Sequence, residues 1–261
     1  MNDALHLKML TLSRLYVKCN QPDEVIKYIQ DIAKLKRDDL TIEEVNILFG
    51  AIHELVKKTK KQWEIICAIE SKETKKNTKF KKLARMARDS VYKEMEDYII
   101  IGNGLIDRYL IKNAHTFELE ALFNMHRGDL ERITITITPT KNDKEILDLK
   151  NKADKFYQRA LELCKEVDNL SSIKAGIVLH YSMFLYEENK DVSAAYKIAK
   201  EFYDNSNDFL KRIKSKTSTF LELQRILGIL KQNIDVWEKK KNSISANENN
   251  NIENIENKEN N

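Results

Sequence analysis

Residues 41–70 read TIEEVNILFGAIHELVKKTKKQWEIICAIE, and this stretch decides the fold class. Thr41-Ile42-Glu43-Glu44 is a capping box, in which a hydroxyl and a carboxylate three residues apart each satisfy a backbone N–H left over by the first helical turn. Behind it Val45, Leu48, Phe49, Ile52, Val56, Trp63 and Ile66 fall on one stripe at about 100° per residue, which predicts a long amphipathic helix. His53, Lys57, Lys60 and Glu64 lie along the border of that stripe. Such a border is either a solvated Lys-rich face or a cationic shelf, where Lys supplies point charge and His a titratable donor for an oxyanion.

The same periodicity extends over most of the chain. Of 261 residues, 42% are hydrophobic and 33% charged, with six Gly and two Pro. So few breakers leave little room for tight hairpins, which argues against all-β and doubly wound α/β folds, while the apolar content argues against a disordered chain. The prediction is all-α, with about nine helices near 3–18, 23–36, 41–70, 80–112, 115–133, 143–167, 171–188, 191–206 and 215–240, and a Lys-rich connection at 71–79. Ile133-Thr134-Ile135-Thr136-Ile137-Thr138-Pro139 breaks the pattern with a strand period and poor helix propensity. No second strand signal exists to pair with it, so a frayed helix end or an extended loop is expected there. Nine of the last 20 residues are Asn, and the expected organisation is a helical domain over 1–240 with a disordered Asn/Glu-rich tail over 241–261.

Four Glu and one Lys give residues 242–261 a charge of −3, so residues 1–241 carry +7 of a chain whose total is +4. A basic body favours anionic partners: phosphate groups, nucleic acid or acidic peptides. The Lys-rich strips at 57–61 and 72–88 lack interleaved aromatics apart from Phe80, so nucleic acid is not expected among the partners. Cys19, Cys67 and Cys164 are widely spaced and odd in number, and are expected to be reduced and buried, as suits the cytoplasm. The opening MNDALHLKMLTLSRLY is interrupted by Asp3, Lys8 and Arg14, so no membrane partner is expected, and the expected location is the cytoplasm or nucleus. Nucleotide-loop, zincin and nucleophile-elbow motifs are absent, and the five His form no close set with Cys. No enzyme activity, cofactor or metal is therefore expected.

Two later helices carry mixed faces. Gly176, Leu179, His180, Met183 and Glu187 superimpose on one side of 171–188, a combination that suits either a peptide groove or core packing around a satisfied histidine. In the last helix Ile226, Ile229, Leu230, Asn233 and Trp237 form a stripe with one amide, whose hydrogen bonds a ligand's backbone could complete.

Four ordered segments together resemble the 14-3-3 family. LTIEEVNILFGAIHELVKKTKKQWEIICAIESKE (40–73) is similar to its third helix, MHRGDLER (125–132) to its M-K-G-D-Y-x-R-Y, GIVLHYSMFLYEE (176–188) to its G-L-x-L-N-x-S-V-F-Y-Y-E, and FLELQRILGILKQNIDVW (220–237) to its closing helix. The likeness spans about residues 3–240 and implies an antiparallel nine-helix, cup-shaped, dimeric adaptor whose groove binds phosphoserine or phosphothreonine in extended peptides. Carried over residue by residue, the phosphate site becomes His53 for a Lys, Lys60 for an Arg, Arg132 unchanged and Ile133 for a Tyr, with Lys57 one turn from both His53 and Lys60.

The groove would include Met125, Ile133, Leu179, His180, Met183, Glu187, Ile226 and Asn233. The resemblance puts Leu15, Cys19, Gln21, Glu24, Ser90 and Glu94 at the dimer interface, where both intersubunit ion pairs lose one partner, so a loosened or rearranged homo- or heterodimer is expected. Lys cannot reproduce the bidentate geometry of Arg, and Ile133 cannot donate a hydrogen bond. At about 1.5–3 kcal/mol per charge-assisted bond, two compromised contacts predict a site weakened about 10²-fold or more, with altered specificity. The alternative is a phosphorylation-independent scaffold, since ADKFYQRALELCKEVDN (153–169) resembles one helix of a tetratricopeptide unit, though no second copy follows in register.

Overall fold

A computed structural model describes residues 3–35, 40–73, 78–137, 142–168, 170–210 and 217–259, with side chains in the last segment described to Ser243. Among the described residues the chain is all-α, in nine α-helices: α1 Asp3–Lys18, α2 Pro22–Leu35, α3 Ile42–Glu73, α4 Thr78–Leu105, α5 Phe117–Ile137, α6 Asp143–Leu163, α7 Ser172–Glu187, α8 Val192–Leu210 and α9 Ser218–Glu259. A π-turn at Ile106–Leu110 and a 3-10 turn at Ile111–Asn113 carry α4 onward, and a second 3-10 turn, Cys164–Glu166, follows α6. The chain divides into two compact units, Met1–Leu149 and Lys150–Asn261.

In the first unit α3 packs against α1, α2, α4 and α5. Its capping box is formed as read: the Glu44 N–H donates to Thr41 Oγ1 (3.2 Å), and the Thr41 N–H donates to Glu44 Oε2 (2.6 Å). Glu44 is fully buried, and its other carboxylate oxygen meets His6 of α1. Val45, Leu48, Phe49, Ile52 and Val56 are in the core as expected, whereas Trp63 and Ile66 are only half-buried. There the packing passes to α4, whose Arg88 donates to the buried Glu70 (2.9 Å). Gly102 interrupts the helical pattern of α4 for a steric reason. A Cβ at that position would lie 2.9 Å from Leu130 Cδ1 of α5 and 3.4 Å from Ile52 Cδ1 of α3.

The Ile/Thr run corrects the expectation of a frayed end or extended loop, because α5 continues through it to Ile137. Ile137 is fully buried, and Thr134 and Thr136 turn their hydroxyls onto the carbonyls of Leu130 (2.9 Å) and Ile133 (2.8 Å). Burial and these local bonds outweigh a β-branched penalty of only a few tenths of a kcal/mol per residue, of order ~0.5. Thr138 and Pro139, and residues 74–77 of the Lys-rich connection, lie outside the described residues.

In the second unit α7, α8 and α9 pack on one another. Tyr157, Tyr181 and Phe184 tie α6 to α7, with ring centroids 5.5 and 5.2 Å from Tyr157. The Tyr181 hydroxyl donates to Asp154 (2.9 Å), and burial followed by that bond pushes its phenol well above the usual range. Ser171 caps α7 by accepting from the Ile173 N–H (3.2 Å). On α9 the last buried side chain among those described is Trp237, stacked on Tyr186 at 5.3 Å. The backbone of α9 runs to Glu259, beyond the expected end near 240, while the side chains of 244–261 lie outside those described.

None of the three cysteines is in a disulfide. Cys164 is buried and Cys67 half-buried, with desolvation raising the Cys67 thiol, but Cys19 is exposed, which corrects the expectation of three buried thiols. Cys19 follows the last turn of α1, a helix that buries only Met9, Leu10 and Ser13.

Candidate functional site

The cationic border of α3 and the MHRGDLER segment of α5 meet in the first unit. His53, Lys57 and Lys60 occupy successive turns of α3, and His126, Asp129 and Arg132 successive turns of α5. His53 Nε2 stands 4.0 Å from Asp129 Oδ2, which brings the two rows side by side. Burial grades across the face. The His126 and Asp129 side chains are 7% and 6% exposed, His53 is 33% exposed, and Lys57, at 66%, reaches solvent beside Glu54 (3.5 Å). Lys60, Arg132 and Ile133 are half-buried.

Within the face His126 Nδ1 lies 3.7 Å from Asp129 Oδ2, and its ring stacks on Phe49 with centroids 3.9 Å apart and planes within 9°. Arg127, between them in sequence, turns instead to Asp107 of the π-turn. Desolvation lowers its pKa, while the charge of Glu131 acts in the opposite direction. Along α3 and α5 the sequence thus sets cationic groups, Lys57, Lys60 and Arg132, on the turns next to His53 and the buried carboxylate of Asp129.

Sequence reasoning passed over His126 and Asp129 as site residues, although both stand inside MHRGDLER. Their i, i+3 spacing is visible in the sequence, but the approach of His53 depends on how α3 and α5 cross. The carried-over groove positions differ in exposure. Met125 is buried in the first unit, and in the second Leu179 and Ile226 are buried, His180, Met183 and Asn233 half-buried, and Glu187 exposed.

Of the positions carried over to a dimer interface, Leu15, Cys19, Gln21, Ser90 and Glu94 are exposed and Glu24 is half-buried. Glu24 pairs with Lys27 within α2, and Glu94 accepts from the Tyr98 hydroxyl (2.9 Å), which also reaches Asp23 (3.3 Å). Val17 beside Leu15 on α1, and Leu83 and Met86 on α4, are exposed apolar side chains of the same unit. No helix among the described residues is long and apolar enough to cross a membrane.

The family model described as 14-3-3 protein matches residues 12–238. The chain is 26% identical to 14-3-3 protein 2 of Entamoeba histolytica over 230 residues, covering 88% of this chain and 94% of that protein. It is 27% identical to 14-3-3 protein 3 of the same organism over 228 residues, covering 87% and 92%. To 14-3-3 protein beta/alpha of Xenopus tropicalis it is 28% identical over 234 residues, covering 86% and 92%.

Proposed function

The chain belongs to the 14-3-3 family of phosphopeptide-binding adaptors, and on that premise we propose that this member grips phosphoserine or phosphothreonine with a weakened site of altered specificity. The adaptor holds its client rather than transforming it. Arg132 supplies the one intact guanidinium, Lys60 and Lys57 supply point charges, and His53 stands where the resemblance has a Lys. The observation that supports the reading is the 4.0 Å approach of His53 to Asp129, one turn of α3 from Lys57 and one turn of α5 from Arg132. Loss of bidentate geometry at Lys60 and of a hydroxyl at Ile133 weakens the grip on phosphate.

In the second unit His180 and Asn233 are proposed to hydrogen-bond the client's backbone, with Glu187 and the apolar positions Leu179, Met183 and Ile226 shaping that part of the groove. Residues 1–240 form the working domain and 241–261 its tail. Association of two copies through α1, α2 and α4 is supported by the exposed Leu15, Val17, Leu83 and Met86. Reduced cysteines and a basic body suit work in the cytoplasm or nucleus.

Alanine variants test the reading by fluorescence anisotropy with a labelled phosphoserine peptide. Arg132→Ala removes a half-buried guanidinium and is expected to weaken binding by about tenfold or more, whereas Lys57→Ala removes an exposed, screened charge and is expected to weaken it by about threefold or less. Equal losses, or none from Arg132→Ala, contradict the assignment.

A further inference from the structure

Three side chains of metal-ligand type converge where the phosphate face meets the core. One ligand atom from each of His53, His126 and Asp129 can be chosen so that all lie within 4.8 Å of one another. We propose that these residues bind a divalent transition-metal ion of the zinc class, with its fourth coordination position open to an external oxygen ligand.

The ligand set selects the metal. Two imidazoles and a carboxylate suit zinc, cobalt or ferrous iron, whereas magnesium and calcium prefer an all-oxygen shell. Bonds of about 2.0–2.2 Å place tetrahedral ligand atoms roughly 3.4 Å apart. The approaches to Asp129 Oδ2, 3.7 Å from His126 Nδ1 and 4.0 Å from His53 Nε2, are within a few tenths of an ångström of that spacing.

The ring of His126 is held in plane by its stack on Phe49, and the His53 ring meets it at 62° rather than parallel, so the nitrogens of the two rings can converge on one point. Asp129 and His126 are almost fully buried and the His53 Nε2 is buried too, while the rest of the His53 ring is one-third exposed, so the site lies just under the surface with His53 as its outer wall. An ion there reverses the local electrostatics: without it, Asp129 sets a negative charge against an arriving anion, whereas a dication with one carboxylate leaves a net charge of +1 beside Lys57, Lys60 and Arg132.

The consequence for clients rests on the phosphopeptide reading, but metal binding does not, and the experiment separates them. Chelator-treated full-length protein is titrated with Co²⁺ and followed by visible d–d absorption, then challenged with Zn²⁺. Expected are saturation at one equivalent, displacement by Zn²⁺, and at least about tenfold weaker binding in His53→Ala and Asp129→Asn, both checked for folding by far-UV circular dichroism.

The absence of d–d bands overturns the proposal. So do bands of thiolate charge-transfer type, or bands unchanged in both variants, because the cysteines would then be the ligands. A phosphopeptide titration with and without Zn²⁺ follows. Tighter binding with the ion supports an open position facing the client, whereas unchanged or weaker binding removes that part and leaves the metal site standing on the cobalt result.

Discussion

The two units bury different kinds of side chain. Among the described residues, the first buries Glu44, Glu70, Asn124, His126, Asp129 and Glu131 along with its aliphatic core, whereas the polar side chains buried in the second are Ser182 and Ser206. The second unit is held by aromatic stacking of Tyr157, Tyr181 and Phe184 and by Trp237 on Tyr186. A buried carboxylate or imidazole is tolerated only with partners, and isolated ones are strongly unfavourable. The first unit keeps several, and two of them, His126 and Asp129 on α5, adjoin His53 of the proposed phosphate face. The contrast separates a unit that buries charged and titratable side chains from one that buries mainly aromatic and aliphatic ones.

The largest effect expected from a single change lies in the second unit. Phe184 is fully buried against Tyr157, and Phe184→Ala should destabilise the protein by about 3–5 kcal/mol through lost burial and a cavity. Denaturant unfolding measures it. A loss below 1 kcal/mol, on the order of a surface change, would break the description of this unit as an aromatic core.

In the first unit Glu44→Ala removes the carboxylate that closes the capping box and meets His6. The expected loss is about 1–3 kcal/mol. Restoring much of it with Glu44→Gln, which keeps an acceptor for the Thr41 N–H, would sharpen the assignment to capping. Equal losses in the two variants would shift it to charge.

The smallest effect belongs to an exposed pair. Arg14 donates two hydrogen bonds of 2.7 Å to Glu43 and holds the Glu43 carboxyl below its ordinary pKa. A depressed carboxylate contributes stability above its unfolded pKa and loses it as pH falls through the folded value. Arg14→Ala should therefore cause the smallest loss of the three near neutrality. The gap to the parent should narrow as pH falls below the ordinary Glu value of about 4.3 and close only below the lower folded value, and should also shrink in high salt. A gap that persists in acid would show that the pair acts through packing.

How much of this was legible in the sequence depended on where each determinant lies. α3 was readable because its capping box and stripe are local, and α2, expected over 23–36, runs from Pro22 to Leu35. The end of α5 was misread because Ile133–Ile137 looks β-branched in isolation, whereas the burial that keeps it helical comes from the tertiary fold. The reason for Gly102 lies in no local pattern but in the approach of Leu130 and Ile52 from other helices. In the candidate site His53, Lys57, Lys60 and Arg132 were singled out from pattern and resemblance, and the structure sets His53 against Asp129. His126 and Asp129 were not, because nothing local brings them to His53.

The central claim is that the α3–α5 face recognises phosphate, and the most direct test is a calorimetric titration of the full chain with one peptide in phosphorylated and unphosphorylated forms. Even one retained charge-assisted contact, worth about 1.5–3 kcal/mol, predicts at least about tenfold tighter binding of the phosphorylated form. Equal affinities would contradict the account and favour a scaffold that works without phosphorylation.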